Sequence, residues 1–361
     1  MLIRIFCSGQ FAPIGLVGLF SLIASCSSPP PPPPSLPDGA LRRIRALMGQ
    51  EESKTFLEEW TSSRDVEIWF ASNREQEGIF PSGSLSFGKT RVQVPDERGV
   101  GMLPTRVGDR VPLSLEEWKL QLGGASEWGV LVFTHGFNVR FEEALQRAAQ
   151  LAFDLKFQGK VLLLSWPAGG NGGFLAQTLI NRTYELNRKH ALASIEPTVQ
   201  VLRELASLWV PIQWMVHSMG HEVVLPALSR FAPEAGRVVV QELILNAPDF
   251  DPEEFVRILP ALKSISGRVT LYCSDKDHAM TASKKVNHQE RLGSCFRQEG
   301  VDVVNVSEVD DPGLTGLGHG YYASRSVLTD VRQVLFGIGA KQRVFIRKAQ
   351  EGARSDYVLR R

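Results

Sequence analysis

The residues able to do chemistry gather around one serine. In Met215-Val216-His217-Ser218-Met219-Gly220, Ser218 stands where a buried-type apolar run passes into a segment with helical spacing. A serine at such a junction, with glycine two residues later, has the pattern of a nucleophile elbow. The tight turn lifts the hydroxyl to the sheet edge. The N–H of Met219 then faces the same spot at a helix N-terminus, and a residue without a side chain at 220 lets helix and strand approach. The matching chemistry is attack of a hydroxyl on an acyl carbon. The full pattern also carries glycine two residues before the serine. Val216 stands there instead, so its branched side chain must be accommodated by its neighbours.

A hydroxyl needs a base, the base an orienting acid, and the developing oxyanion a pair of donors. His319 lies between Gly318 and Gly320, on a loop after the last strand-like segment. Asp275 and Asp277 follow the strand-like segment 269–273, where an imidazole-orienting carboxylate belongs. The order serine, acid, histidine is the order such a triad takes when it is carried by a strand-to-helix elbow. Asp249 is a rival acid, whereas Asp251 before Pro252 reads as a helix N-cap. Thr134-His135-Gly136-Phe137-Asn138 is a glycine-containing loop after an early strand, able to give a second oxyanion donor from Phe137 or Asn138. His135 reads as loop-shaping, and His190 and His288 as helix-surface residues. His217 and His221 are four apart but straddle the elbow, and no CxxC pair exists, so neither a metal site nor any other cofactor is expected.

These side chains meet only if one sheet brings strand ends to a common edge. From residue 129 the chain alternates apolar strand-like runs (129–134, 161–166, 211–217, 238–245, 269–273, 301–306) with helix-length segments (141–157, 183–208, 219–231, from Asp251, 279–292, 321–336). Continuous apolar strands separated by helices imply an α/β fold: a mostly parallel sheet with helices on both faces. Upstream, 66–70 alternates as a strand, and glycine and proline punctuate 80–112, implying an N-terminal β-rich extension. The residues divide into a signal segment (1–25), a Pro-rich linker (26–38), a helical arm (39–63), the extension (64–124), the catalytic-type domain (125–338) and a basic tail (339–361) with seven basic and two acidic residues, expected as a solvated appendage. Segment 169–174 and the helix after it are candidates for lining the pocket.

With 43% apolar residues among 361, the chain is not disordered, and a net charge of +1 excludes bulk electrostatic binding of nucleic acid. Arg4 and the apolar run 11–25 form an export signal, too short to span a bilayer comfortably. It ends in Leu22-Ile23-Ala24-Ser25-Cys26, which resembles the bacterial lipobox and so implies diacylation (palmitate-type) of Cys26. Six prolines from Pro29 form a stiff spacer of about 3 Å per residue that holds a folded body off a membrane. Ser27 is not the aspartate of an inner-membrane retention signal. The expected address is therefore the periplasmic side of the outer membrane, if the source has two membranes. Export also permits a Cys273–Cys295 bridge, which the sequence leaves undecided.

VEIWFASNRE, FGKTRVQVPDERGVG, FTHGFNVRFEEALQRAAQLAFDL, LLLSWPAGG, VHSMGHEVVLPAL, LNAPDFD, DHAMTAS and GHGYY, spanning about 66–336, together resemble a bacterial α/β-hydrolase family of unknown function, the esterase/lipase-superfamily proteins. The resemblance implies an α/β-hydrolase fold. It places the acid at Asp277 rather than Asp275, beside Ser218 and His319. His221 and Asn187 depart from the family pattern, which has asparagine and aspartate there. The resulting expectation is a serine hydrolase acting on a small-molecule or lipid carboxylic ester. Met219 and Phe137 form the oxyanion hole, and Asn138 and Trp166 border the substrate. The contrasting class is a non-catalytic lipid-anchored envelope protein that keeps the fold as a binding scaffold.

Overall fold

The computed structural model describes residues 65–95, 99–104, 106–169, 177–310 and 319–360, with 177–180 as backbone alone. The expected signal segment, Cys26, the Pro-rich linker and the helical arm lie outside the described residues, as does 170–174. The described chain begins with β1 (Asp65–Arg74), β2 (Pro81–Gln93), β3 (Arg106–Val107), β4 (Val111–Leu113) and α1 (Leu115–Gly123). It continues through β5 (Val130–Thr134), α2 (Phe141–Leu155), β6 (Lys160–Ser165), α3 (Gln177–Ala193) and α4 (Ile195–Ser207). Then follow β7 (Ile212–His217), a 3₁₀ turn (Ser218–Gly220), α5 (His221–Ala235), β8 (Val240–Asn246), α6 (Pro252–Ile265), β9 (Ser266–Cys273) and α7 (His278–Asn287). β10 (Asp302–Asn305), α8 (Arg325–Leu335), β11 (Ile346–Lys348) and β12 (Tyr357–Leu359) complete it.

All strands join one sheet in the order β11-β12-β10-β9-β8-β7-β5-β6-β1-β2-β3, with β4 also on β2. From β12 to β1 every neighbouring pair is parallel. The apolar strand runs are buried on both faces, as parallel strands must be. Val130 and Val132 pack into one core with Trp214, Val223 and Leu228, while Leu131 and Phe133 pack into the other with Ala144, Ala148 and Val331. The order also creates a switch point. After β5 the chain moves outward to β6, then returns to the other side of β5 to lay β7, and from there builds β8, β9 and β10 away from it. The carboxyl ends of β5 and β7 thus sit side by side at the point where the strand order reverses, the place where open α/β sheets bind ligands.

Two expectations change, the single helix over 183–208 and the solvated tail. The stretch read as one helix over 183–208 is two, α3 and α4, parted at Ser194. Pro197, in the first turn of α4, cannot donate to residue 193, and its ring crowds that carbonyl. Ser194 Oγ takes up the slack by donating to His190 O at 2.7 Å. The expected N-terminal β-rich extension is present and continues the main sheet, with β1 parallel to β6 and Ile68 opposite Val161. The basic tail is not a solvated appendage. β12 pairs parallel with β10, β11 pairs with β12, and the tail's Arg343 is buried, donating to Asp330 Oδ2 at 2.8 Å and to Tyr272 OH at 3.2 Å. A buried acid offsets that charge, a compensation invisible in a count of basic residues. Cys273 and Cys295 form a disulfide with Cα atoms 5.2 Å apart. Among the described residues no helix is long and apolar enough to cross a membrane.

Candidate active site

Ser218 leaves β7 at φ +53°, a left-handed conformation that costs a non-glycine residue on the order of 1–3 kcal/mol and persists only where neighbours enforce it. They do so here. Its carbonyl oxygen accepts from His221 Nδ1 at 2.6 Å and from the Asp249 N–H at 3.3 Å. Gly220 and Gly136 provide the close approach: a Cβ at 220 would stand 2.5 Å from His135 O, and one at 136 would stand 2.6 Å from Ser218 Cβ. The loop after β5 is thus pressed directly onto the elbow. Val216, in place of the usual glycine, is wholly buried in the core, which absorbs its branched side chain.

Asp277 performs two tasks with two oxygens. Oδ1 accepts from the N–H groups of Ala279 and Met280 at 3.0 and 3.1 Å and caps α7. Oδ2 accepts from His319 Nδ1 at 2.7 Å. That bond leaves Nε2 as the basic nitrogen of His319. Burial works against an imidazolium here. The charge and hydrogen bond of Asp277, with Asp249 and Asp310 farther off, outweigh it, and the net shift of His319 is upward. Asp275 takes no part, its Oδ2 accepting from Asn305 Nδ2 at 2.7 Å on the surface. Asp249 is committed elsewhere: Oδ1 accepts from Ser283 Oγ and Arg291 Nε, both at 2.6 Å, and Oδ2 from Tyr184 OH at 2.9 Å.

Among the described residues no hydrogen bond joins Ser218 Oγ to His319. The two are linked through His217, whose Nε2 donates to His319 O at 3.2 Å and whose ring lies 4.8 Å from that of His319 and 4.0 Å from that of Tyr322. Burial, reinforced by the neighbouring His319, holds His217 well below the ordinary histidine range, so it stays neutral and can donate. The sequence reading gave His217 no role beyond preceding the elbow. Its only signal was adjacency to Ser218.

The loop after β5 is fastened at both ends. Asn138, at φ +56°, donates its N–H to Asn187 Oδ1 at 3.1 Å, which leaves Phe137 as the N–H of this loop to set against Met219. Asn187 Oδ1 also accepts from Gly169 N, and its Nδ2 donates to Gly169 O and Thr183 O. A carboxylate could not make those last two bonds, so the departure from aspartate has a physical use. Trp166 corrects its expected place against the substrate. It is 1% exposed, its indole N–H donates to His135 O at 2.9 Å, and its ring stacks on His135 at 5.5 Å; it supports the loop from below. Among the described residues, no three or more His, Cys, Asp or Glu side chains are grouped to hold a metal ion.

Residues 115–337 match the family described as "Alpha/beta hydrolase of unknown function (DUF900)". The chain belongs to this family. Its DUF900 match opens at α1, so β1 to β4 precede it, and all of Phe137, Ser218, Asp277 and His319 lie inside it. Two solved structures are similar to this DUF900 chain. One is a cold-adapted esterase from an Arctic intertidal metagenomic library, in a PEG-bound complex, at 13% identity and TM-score 0.36, over 75% of this chain and 94% of that one. The other is a fungal esterase from Rhizomucor miehei at 12% identity and TM-score 0.34, over 84% and 92%. No curated protein matches the chain.

Proposed function

We propose that this chain is a serine hydrolase of carboxylic esters. The observation that carries the reading is the Asp277 Oδ2–His319 Nδ1 bond of 2.7 Å on a loop fastened to the residue before a positive-φ serine. His319 Nε2 takes the Ser218 Oγ proton as Oγ bonds to the acyl carbon. The N–H groups of Met219 and Phe137 receive the oxyanion, each contributing about 2.7–4 kcal/mol in the transition state. Collapse expels the alcohol, which leaves with the proton from His319, and an acyl-enzyme remains. Water repeats the cycle and releases the acid. Asp277 holds the imidazole in the productive tautomer and stabilises its charged form. The Ser218–His319 bond need only close in the substrate complex, because such bonds tighten when substrate binds. Asn138, whose backbone N–H is tied to Asn187, is the residue of the oxyanion loop that borders the substrate in this reading.

The same proposal places the protein in the cell envelope, anchored through acylated Cys26 and facing lipid or envelope esters. Support comes from the apolar run, the small residues before Cys26 and the proline spacer. Cys26→Ser should shift the protein from the membrane fraction to the soluble fraction; undiminished membrane attachment would refute the anchor. For the reaction, turnover of p-nitrophenyl esters of graded chain length is the test. Ser218→Ala should lower kcat by roughly 10⁴-fold or more. A folded wild type inert toward every ester would favour the scaffold class.

A further inference from the structure

Arg74 ends β1, outside the residues matched by the family, and closes the Ser72-Asn73-Arg74 cluster of buried polar residues. Its side chain has five N–H groups, and each faces an acceptor. Nε donates to Ser165 Oγ at 2.8 Å, Nη1 to Ala168 O at 2.8 Å and Gly78 O at 2.9 Å, and Nη2 to Val139 O at 2.9 Å and His135 Nε2 at 3.1 Å. Among the described residues none of these partners is a carboxylate. A buried charge is ordinarily paired with its opposite, because desolvation costs several kcal/mol. Burial pulls the guanidinium down to about 9, against the distant pull of Glu143, so it remains a cation at neutral pH.

The partners show what that cation is for. His135 and Val139 bracket the oxyanion loop, and Ser165 and Ala168 flank Trp166, the support beneath it. His135 is pushed down to about 3 by burial and by Arg74, so it is neutral and accepts from the guanidinium through Nε2, with its Nδ1 set on Gly136 O at 3.1 Å. We infer that Arg74 is a positioning residue for the reaction. It clamps 135–139 so that the Phe137 N–H meets the oxyanion, and it sets a positive charge behind that loop with no carboxylate among its hydrogen-bond partners in the described residues. The inference rests on the serine-hydrolase reading. A lysine cannot replace it, since one ammonium has three donors radiating from a single point and cannot reproduce the planar fork that reaches five acceptors.

The test pairs Arg74→Ala with Arg74→Lys in the full chain, reading ester kinetics and the rate at which a fluorophosphonate labels Ser218. Both variants should fold, show kcat lowered about 30- to 300-fold with KM changed less than about threefold, and label correspondingly more slowly, as for loss of one oxyanion donor. Added methylguanidinium should restore at least about tenfold of kcat to the alanine variant and nothing to the lysine variant, a rescue that lost stability alone would not give. Wild-type kcat in either folded variant, a change confined to KM, or failure of both to fold would overturn the inference. If wild type itself is neither labelled nor active, the parent reading fails and this one falls with it. A labelled, active wild type with an indifferent Arg74 sinks this inference alone.

Discussion

His217 Nε2 donates to the main-chain oxygen of His319 over 3.2 Å, so the residue before Ser218 holds the loop that carries His319. The same ring packs on Tyr322, which fixes its plane. His217→Phe keeps the packing and removes the N–H. The expected result is a fall in kcat of roughly tenfold with KM little changed, and a stability loss of about 1 kcal/mol, the worth of one buried hydrogen bond. Steady-state kinetics with urea denaturation checks both.

Asp277→Asn separates the two tasks of that side chain. Asparagine is as good an N-cap as aspartate, so α7 should survive. The imidazole loses its acceptor, and kcat should fall by about 10⁴-fold. Asp275→Asn should change kcat less than about twofold, since its partner is a surface amide. An equal loss at both positions would show the wrong acid has been chosen.

The upward shift of His319 fixes the sign of the pH response. The base must be neutral, so kcat/KM should decline as pH falls through a value above 6.5, the ordinary histidine value. Stability runs the other way. A raised folded pKa contributes stabilisation that is fully present below 6.5 and lost as pH rises through the folded value. In Asp277→Asn any remaining acid limb should move down, and the stability advantage of wild type at low pH should shrink. pH–rate profiles and denaturation midpoints from pH 5 to 9 test this.

Much of this was legible in the sequence, and what was not has a common cause. Val130, Leu131, Val132 and Phe133 announce a strand buried on both faces, and Ser218 with Gly220 announces a turn, because those signals are local. The order serine, acid, histidine needs only the fold class, whereas the choice of Asp277 over Asp275 comes from the family resemblance. Arg74, Asn187 and His217 have partners 61, 49 and 102 residues away, so their local sequence does not show what they hold. Trp166 is ambiguous for a related reason: an aromatic residue after a strand looks the same in sequence whether it faces substrate or supports a loop. The tail's strand is hidden in the sequence because Tyr357 and Leu359 contribute too short an alternation to show.

Asn187→Asp probes the clamp on the oxyanion loop. It turns a donor to Gly169 O and Thr183 O into an acceptor facing acceptors, which should cost about 1–3 kcal/mol and lower kcat more than it raises KM.

The Cys273–Cys295 bridge closes a segment with a sequence separation of 22, which includes Asp277 and α7. Opening it with Cys295→Ser should lower stability by roughly 3 kcal/mol. A reductant should lower the thermal midpoint of wild type toward that of the variant and leave the variant unmoved.

The most direct measurement is the mass of the full-length protein after exposure to a fluorophosphonate, followed by mapping of the modified peptide. The expected result is one adduct on Ser218, absent in Ser218→Ala and formed at least about 100-fold more slowly in His319→Ala. A folded wild type that stays unmodified, or an adduct on any other residue, would contradict a nucleophile at the β7 elbow.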